Sequence, residues 1–438
     1  MLCREQACLF RTDVFMEKII NIYKRNRIKF LIFFSIFGPA TITAMADNDA
    51  SGVATYAIAG AKLGYPILFA LFWITILLAI TQEMGMRVSL ITRKGLGDLI
   101  REFHGVEVAI FIFIALFIAN MGTIIVDIVA FKTTAQMLNL PVIPLIVIML
   151  MAIFAFVIKG NYKLTQNIML FSSLFYLSYI FSAFKANPNW NVAIKNLVWP
   201  QGINFTPAYW KEYIIIGLGV LGTTITPWGQ FFISSFGLDK KINAGKILYS
   251  QIETYWGAFL TDFFSFFMIV ATAATLFVNN IILTDGAGAA KAIEPFAGKL
   301  AAMLFALGIM NAGFMGIVIV GLSTTYAFSE FFGITGSLDS PYNKSKIFYL
   351  IFIGQIIIGA SIAVIPGVDL FKIAVASQVL NAMTLPPIFY FLIKFANNSE
   401  IMGKYKNNKF QKWFAVGGTI IITLASLFTA FYTIFSYK

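Results

Sequence analysis

Long apolar runs follow one another along almost the whole chain, separated by short segments that carry charged residues, Gly or Pro. A helix that crosses the hydrocarbon core of a bilayer needs about 20 consecutive apolar residues, and most of these runs reach that length. The pattern predicts eleven membrane-spanning helices, at residues 30–63, 65–91, 106–136, 142–158, 164–184, 213–236, 247–278, 300–332, 347–365, 370–395 and 413–437.

The composition agrees with a membrane protein and excludes other classes. Of the 438 residues, 59% are hydrophobic and 12% are charged, and the mean hydropathy is +0.82. An ordinary soluble protein is about 45–50% apolar and about 25% charged, so a soluble enzyme and a disordered chain are excluded. The only cysteines are Cys3 and Cys8, which excludes a disulfide scaffold. We expect an all-α polytopic membrane protein.

The basic residues indicate which way the helices run. The chain has 32 Lys and Arg against 20 Asp and Glu, a net charge of +12. If residues 1–29 form a cytoplasmic N-terminal arm, the other loops on that side carry most of the remaining basic residues, which is the positive-inside pattern. We therefore expect a multi-pass protein of the plasma membrane, with a cytoplasmic N-terminus and no cleavable signal peptide. The partner is then the lipid bilayer, with neither nucleic acid nor an obligate protein partner.

Two of the predicted spans contain residues that interrupt a membrane helix. In the first span, segment 47–52 places two carboxylates and an amide at mid-depth, where ionisable groups persist when they face an ion or a water-filled cavity. In the sixth span, Pro227 removes a backbone donor and Gly229 loosens the next turn. Each break also has a simpler interpretation, a satisfied polar cluster in the first span and a packing kink in the sixth.

The two breaks together suggest a cation site. An unwound turn frees backbone carbonyls and points half-helix ends at one place, and carbonyls with a helix C-terminus suit a cation. Nearby carboxylates and hydroxyls would complete a set of hard oxygen ligands. Two five-helix inverted repeats would place discontinuous helices in the first and the sixth span, which is where the breaks occur.

At these residues the sequence resembles the Nramp family of divalent-metal transporters. The family's first helix typically runs Gly-Pro-Gly, a short apolar stretch, Asp-Pro-Gly-Asn, Ala-Thr and a Gly-Ala…Phe-Gly-Tyr ending. The chain matches it without a gap, at Gly38-Pro39-Ala40, Asp49-Ala50-Ser51-Gly52, Ala54-Thr55 and Gly60-Ala61-Lys62-Leu63-Gly64-Tyr65. Further similarity lies at Arg93-Lys94-Gly95-Leu96, Tyr326-Ala327-Phe328, Ser377-Gln378-Val379 and Leu385-Pro386.

The resemblance implies a LeuT-type fold of eleven helices, in which helices 1 and 6 are discontinuous. It implies a single transmembrane transporter domain, 30–437, built from two inverted repeats and one extra helix. Spans 1–5 form the first repeat, about 30–184, spans 6–10 form the second, about 213–395, and the extra helix is about 413–437.

The resemblance also implies a metal site, in which this chain departs from the family pattern. The family's metal-binding Asp falls on Asp49, whereas its Asn falls on Gly52. In the sixth span, the Ala whose carbonyl contributes has become Thr223 and the Met has become Thr226. Oxygen replaces a soft thioether, and fewer side chains leave more room for water, which together favour Mg²⁺.

Other polar residues of the spans are candidates for supporting roles. By resemblance, Gln378 on the tenth span closes over the ion, and the alternative is an interhelical hydrogen bond. Candidates for a vestibule or for support of the ligands are Asp47, Asn48, Gln230 and Asn381.

Proton coupling is not expected. The histidines that proton-coupled members carry after the sixth-helix break are replaced by Trp228 and Ile233. Asp127 in the third span corresponds to the family's Glu, or else forms a salt bridge with Lys132.

These departures resemble the magnesium-transporting branch related to Nramp. We expect a transporter of divalent cations, Mg²⁺ first and Mn²⁺ as an alternative, that works by alternating access without proton coupling. It is not an enzyme and has no cofactor, because the ion is the substrate. The alternatives are a proton-coupled Mn²⁺/Fe²⁺ symporter and, more remotely, an amino-acid symporter of the same fold.

Overall fold

The structure is a computed structural model that describes residues 38–435, apart from 204–205, 240–243, 282, 284–285, 335, 337, 339 and 341. The predicted N-terminal arm and the start of the first predicted span lie outside the described residues. The regular elements are helical: α1 (Pro39–Ala46), α2 (Ala50–Leu63), α3 (Ile67–Thr92), α4 (Leu96–Met137), α5 (Val142–Lys159), α6 (Tyr162–Ser172), α7 (Leu177–Lys185), α8 (Trp190–Val198), α9 (Pro207–Thr224), α10 (Pro227–Asp239), α11 (Ile247–Thr272), α12 (Gly286–Phe332), α13 (Lys346–Ala363), α14 (Leu370–Asn397), α15 (Ser399–Met402) and α16 (Lys409–Phe435). Short 3₁₀ turns lie at Ser173–Tyr176, Ala244–Lys246, Tyr342–Lys344 and Gly403–Tyr405, and a π-helical turn at Ala273–Phe277.

Within the described residues, ten helical segments are long and apolar enough to cross a membrane. They coincide with the second to the eleventh predicted spans. The first predicted span appears as two short helices, α1 and α2, so a count of eleven requires this broken pair to be taken as one span. The third span differs from the prediction, because α4 already begins at Leu96 and bends at Gly105, where φ is 84°. The fifth span is α6 and α7, joined by a 3₁₀ turn.

The break between α1 and α2 is built by local capping. Asp49 has an extended backbone (φ −61°, ψ 178°), and its carboxylate accepts a hydrogen bond from the Gly52 amide at 2.7 Å. This side-chain cap starts a new helix instead of continuing α1. On the other side of the break, the Tyr176 hydroxyl donates to the carbonyls of Met45 and Asn48, at 3.1 and 2.9 Å. The interruption therefore leaves few backbone groups without a partner.

The break between α9 and α10 follows the same logic. Ile225 leaves the helical region (φ −115°, ψ 89°), and Pro227 opens α10 at a position where its missing amide is tolerated. The Thr226 hydroxyl accepts a hydrogen bond from the Gly229 amide at 3.1 Å. Both predicted interruptions are thus present as pairs of capped half-helices.

The four half-helices lie in the middle of the bundle. α1 packs against α10 and α11, and α2 packs against α9, α11 and α14. Members of the two predicted repeats face each other, since α4 packs along α12 and α3 along α11. The outer helices α5 and α16 instead carry exposed apolar side chains such as Ile143 and Leu424, a surface typical of lipid contact. The breaks are therefore enclosed by protein.

Candidate functional site

Asp49 is fully buried at the first break and keeps one oxygen unused. Its Oδ1 accepts hydrogen bonds from the Ser51 hydroxyl and from the Gly52 amide, both at 2.7 Å. Its Oδ2 has no hydrogen-bond partner among the described residues, although the side chain is 0% exposed. A buried carboxylate oxygen without a donor is costly unless something supplies positive charge.

Oxygen atoms from both breaks converge beside Gly52. A Cβ placed on Gly52 would stand 2.7 Å from the Asp47 carbonyl oxygen, 2.7 Å from Thr223 Oγ1 and 3.5 Å from Asp49 Oδ1. The Thr223 hydroxyl also donates to the Asp47 carbonyl at 3.4 Å. Gly52 itself contributes only its backbone, whose amide donates to Asp49 Oδ1. The absence of a side chain at Gly52 lets these oxygens approach one another.

A second buried carboxylate adjoins Asp49. Asp127 Oδ1 accepts a hydrogen bond from the Ala50 amide, the first residue of α2, at 3.1 Å. Asp127 Oδ2 lacks a hydrogen-bond partner in the part of the chain that the structure describes. A Cβ on Gly316 of α12 would collide with this oxygen and would lie 2.8 Å from Asp49 Cβ. Gly316 thus allows the two carboxylates to come together against α12.

The predicted alternative of a salt bridge between Asp127 and Lys132 is wrong. Lys132 donates instead to the Val368 carbonyl at 2.8 Å and lies 4.0 Å from Asp369. Five residues along a helix correspond to about 500°, so the two side chains point about 140° apart. Asp127 faces the break, whereas Lys132 faces the loop before α14.

Thr226 contacts Asp47 and not Asp49. Its hydroxyl donates to Asp47 Oδ1 at 2.9 Å and accepts from the Gly229 amide at 3.1 Å. Asp47 Oδ2 accepts from Gln82 Nε2 of α3 at 3.3 Å. The vestibule candidate Asp47 therefore joins the first break to the second break and to α3.

Gln378 reaches Asp49 through Ser51. Its amide nitrogen donates to the Ser51 hydroxyl, and its Oε1 accepts from Asn381 Nδ2 at 2.7 Å. Asn381 Nδ2 also lies 2.9 Å from Thr123 Oγ1 of α4. These contacts are those of the interhelical alternative, and they hold Gln378 one hydrogen bond away from the carboxylate.

The remaining two candidates are separated by the structure. Asn48 turns away from the break, because its amide donates to the Thr261 hydroxyl at 2.8 Å and accepts from Ser265 at 2.9 Å. Gln230 stays near the break, fully buried, with no described hydrogen-bond partner for either Oε1 or Nε2. Asn48 therefore supports packing on α11, whereas Gln230 keeps free ligand atoms.

Three contributors were not identified from the sequence. Ser51 stood inside the quoted motif, and its hydroxyl links Asp49 to Gln378. Gln82 carried the signal of an uncharged polar residue within a span. Tyr176 carried no signal, because one Tyr among many aromatic residues predicts no particular partner.

The site gathers three buried carboxyl groups in an enclosed space. Asp47, Asp49 and Asp127 are each 0% exposed, and the ion pairs found among the described residues include none of them. The described residues contain no group of three or more His, Cys, Asp or Glu arranged to hold a metal. An ion here would therefore be held by one or two carboxylates together with hydroxyl, amide and carbonyl oxygens, a set that suits hard cations.

Comparison with known proteins gives the family. A family model described as "Natural resistance-associated macrophage protein-like" matches residues 40–432. The chain is 25% identical over 388 residues to "Natural resistance-associated macrophage protein 2 homolog" of Dictyostelium discoideum, covering 85% of the chain but only 59% of that protein. It is 22% identical over 423 residues to "Divalent metal cation transporter MntH" of Granulibacter bethesdensis, covering 94% and 91% of the two chains.

Solved structures agree on the fold. A manganese transporter of Eremococcus coleocola, bound to an aromatic bis-isothiourea compound, is similar with a TM-score of 0.71 at 18% identity, covering 92% of this chain and 86% of that one. A Na⁺-coupled sialic acid symporter is similar with a TM-score of 0.59 at 14% identity, covering 90% and 88%. The predicted all-α, LeuT-type membrane fold is confirmed.

Proposed function

The chain belongs to the natural resistance-associated macrophage protein (Nramp) family of membrane transporters, and on that premise we propose that it carries divalent metal cations by alternating access around Asp49. Family members are transporters and not enzymes. The metal ion is the substrate, so the protein needs no cofactor.

The observation that carries this proposal is the unpartnered oxygen of Asp49. It lies at a break between half-helices, fully buried, beside a second unpartnered oxygen on Asp127. A divalent cation would supply the missing positive charge for both carboxylates. We assign Asp49 as the central ligand, with Thr223, Thr226, Gln378 and the backbone at Gly52 as the other members of the set.

Magnesium is the ion that the donor chemistry favours. The groups around Asp49 and Asp47 are carboxylates, hydroxyls and backbone carbonyls. Thr226 stands where the family resemblance expects a Met, so a hard hydroxyl replaces a soft sulfur. Mg²⁺ takes oxygen ligands, whereas transition metals gain most from sulfur or imidazole. Mn²⁺, which also accepts oxygen ligands, is the second candidate.

Transport without proton coupling is the mode that the surroundings of the sixth-span break favour. Trp228 and Ile233 are both 0% exposed and occupy positions where proton-coupled members carry histidine. The chain's single histidine, His104, lies near the start of α4, before the bend at Gly105, next to Phe391 and Lys394. No imidazole is therefore available near Asp49 to relay a proton. We further propose a plasma-membrane location with a cytoplasmic N-terminus, from the distribution of basic residues.

The test is uptake into proteoliposomes with dyes inside that report Mg²⁺, Mn²⁺ and pH. We expect both metals to enter, Mg²⁺ to compete with Mn²⁺, and the internal pH to stay constant. Asp49→Ala should abolish uptake, whereas Glu212→Ala, which removes the carboxylate of a half-exposed ion pair with Lys62, should retain it. Uptake unchanged by Asp49→Ala would remove the central assignment.

Two outcomes would favour other functions. Acidification of the interior during Mn²⁺ entry would support the proton-coupled symporter, and a failure of Mg²⁺ to compete would overturn the magnesium assignment. An amino-acid symporter of the same fold is disfavoured, because Asp49 would repel a substrate carboxylate at the break.

A further inference from the structure

At the break between α1 and α2, the side chains of Asp49 and Asp47 are contacted by different helices. Asp49 is held by residues of α2 and, through Ser51, by Gln378 of α14. Asp47 is contacted by Thr226 from the second break and by Gln82 of α3. The two carboxylates therefore belong to separate sets of neighbours, although only one residue lies between them.

The Asp47 side contains buried amide atoms that are not used. In the described part of the chain, Gln82 Oε1 and both side-chain polar atoms of Gln230 have no hydrogen-bond partner. Gln82 is 1% exposed and Gln230 is 0% exposed. Buried polar atoms without a partner are rare in native proteins, and each indicates an absent ligand or a functional role.

Both amides lie at the contact between α3 and α10, next to Asp47. A Cβ on Gly85, one turn from Gln82 on α3, would stand 3.9 Å from Gln230 Oε1. A Cβ on Gly229, the residue before Gln230, would stand 3.5 Å from Asp47 Oδ1. Gln230 Oε1 therefore lies at the contact between α3 and α10, and Asp47 lies beside the preceding residue of α10 and accepts from Gln82 Nε2 of α3.

We propose that Asp47, Gln82, Thr226 and Gln230 form a second cation position, which a divalent metal ion occupies after it leaves Asp49. The inference rests on the proposed function and adds a second station to the same pathway. One carboxylate, one hydroxyl and two amide oxygens would face the ion, all of them hard donors that suit Mg²⁺ or Mn²⁺. Thr226 would be shared between the two positions.

The two positions lie at different depths. α3 and α14 start from the same face of the bundle, because they are the second and the tenth spans and seven spans lie between them. Gln82 is fifteen residues into α3 and Gln378 is eight residues into α14, which places them about 22 and about 12 Å from that face at 1.5 Å per residue. The Asp47 side is therefore nearer the opposite face, which carries Arg93 and Lys94. A station there would keep an ion coordinated on its way to the basic face.

The first test separates the charge of Asp47 from its hydrogen bonds. Asp47→Asn keeps an acceptor for Thr226 but removes the charge. We expect the maximal Mn²⁺ uptake rate to fall about tenfold, while the half-saturating external Mn²⁺ concentration changes less than about twofold, because Asp49 still binds first. Glu212→Gln removes the carboxylate of a half-exposed ion pair with Lys62, away from the set, and should leave both parameters unchanged. Wild-type kinetics in Asp47→Asn, or the same loss in Glu212→Gln, would overturn the inference.

A second test reports direct contact with the ion. In a background with Cys3 and Cys8 replaced by Ser, Asp47→Cys places a thiolate in the set, and thiolates prefer Cd²⁺. We expect Cd²⁺ to inhibit Mn²⁺ uptake by Asp47→Cys at a concentration about tenfold lower than in the background, with no such change for Glu212→Cys. Equal sensitivity of both variants would overturn the second position.

The two proposals fail in different ways. If the wild-type protein transports no divalent metal, the proposed function fails. If the wild type transports, Asp49→Ala does not, and Asp47→Asn behaves as wild type, only the second position fails. Gln230→Leu offers a variant that keeps Asp47 and should reproduce the loss of maximal rate, with elution on gel filtration as the check on folding.

Discussion

Gly52 tests whether the break is as tightly built as the structure indicates. Gly52→Ala adds one methyl group, and the resemblance to a motif with Asn at this position would suggest that a side chain is easily accepted. In this chain, the new Cβ would stand 2.7 Å from the Asp47 carbonyl oxygen and 2.7 Å from Thr223 Oγ1. Both distances are well inside ordinary contact, so at least one of these oxygens must move.

The change in the free energy of unfolding depends on which neighbouring atom can move away from the new methyl group. Thr223 Oγ1 belongs to a side chain that can rotate, whereas the Asp47 carbonyl is part of the backbone between α1 and α2. Insertion of a methylene into a packed site costs about 1–3 kcal/mol, and replacement of Gly within a helix returns about 0.5–1 kcal/mol. We expect a net destabilisation of about 1–2 kcal/mol, together with displaced oxygens at the ion site.

The assay is thermal unfolding in detergent combined with Mg²⁺ and Mn²⁺ uptake in proteoliposomes. The matched control is Gly354→Ala on α13, where no atom lies within 4 Å of the added Cβ. Gly354→Ala should be as stable as wild type or more stable, with normal uptake. Gly52→Ala should unfold a few degrees lower and should lose most of its uptake. If Gly52→Ala matches Gly354→Ala in both measurements, the oxygens around Gly52 are not placed as described.

Four further substitutions test other contacts. Thr226→Met introduces a soft sulfur at the second break, so the inhibitory concentration should fall for Cd²⁺ and rise for Mg²⁺, each by about tenfold; an unchanged ratio would contradict the role of Thr226. Lys132→Met should leave uptake within about twofold of wild type. Asp127→Asn should weaken metal binding measured by calorimetry. Equal effects of the two substitutions would restore the Asp127–Lys132 salt bridge, which the structure does not contain. Arg87→Ala removes the cation paired with the buried Glu83, which keeps hydrogen bonds from Gln251 and Gln411. The midpoint of thermal unfolding should drop, with a loss of stability smaller than the about 3–5 kcal/mol that a buried charge without any partner costs, and an unchanged midpoint would show that the pair adds nothing.

Most of the fold could be predicted because a bilayer leaves few alternatives. A run of about 20 apolar residues must be a helix, since no other single segment satisfies its backbone in lipid. The helical segments that the sequence did not predict lie outside the apolar runs, where the bilayer no longer dictates the backbone conformation. α4 begins at Leu96, whereas the predicted span begins at residue 106. The prediction missed the first turns of α4 because they carry charged residues and precede the bend at Gly105. The helix Trp190–Val198 lies between the fifth and the sixth predicted spans, where Asn, Trp and Pro interrupt any apolar run that would predict a span.

The candidate site could be predicted only in part. The break at Asp49 follows from carboxylates and Gly in an apolar run, and the structure contains it. Which carboxylate contacts which residue depends on helix rotation, and this decided against the Asp127–Lys132 pair. The hydroxyl of Tyr176, which satisfies carbonyls of α1 at the break, comes from a helix far away in sequence. Such contacts arise from packing that no local pattern encodes.

The arrangement of charge explains why the site would release an ion as well as bind it. Asp49 and Asp127 each keep one unpartnered oxygen, and Asp47 lies on the other side of the same break. A permanent Lys or Arg among them would neutralise the carboxylates and remove the attraction for a cation, and in the described residues none pairs with them. Without that fixed charge, the enclosed carboxylates are compensated only while an ion is present. On the proposed path, an ion that moved from Asp49 toward Asp47 would exchange one carboxylate for another without losing a charged ligand, which would keep the barrier to leaving low while the enclosed site still favoured occupancy.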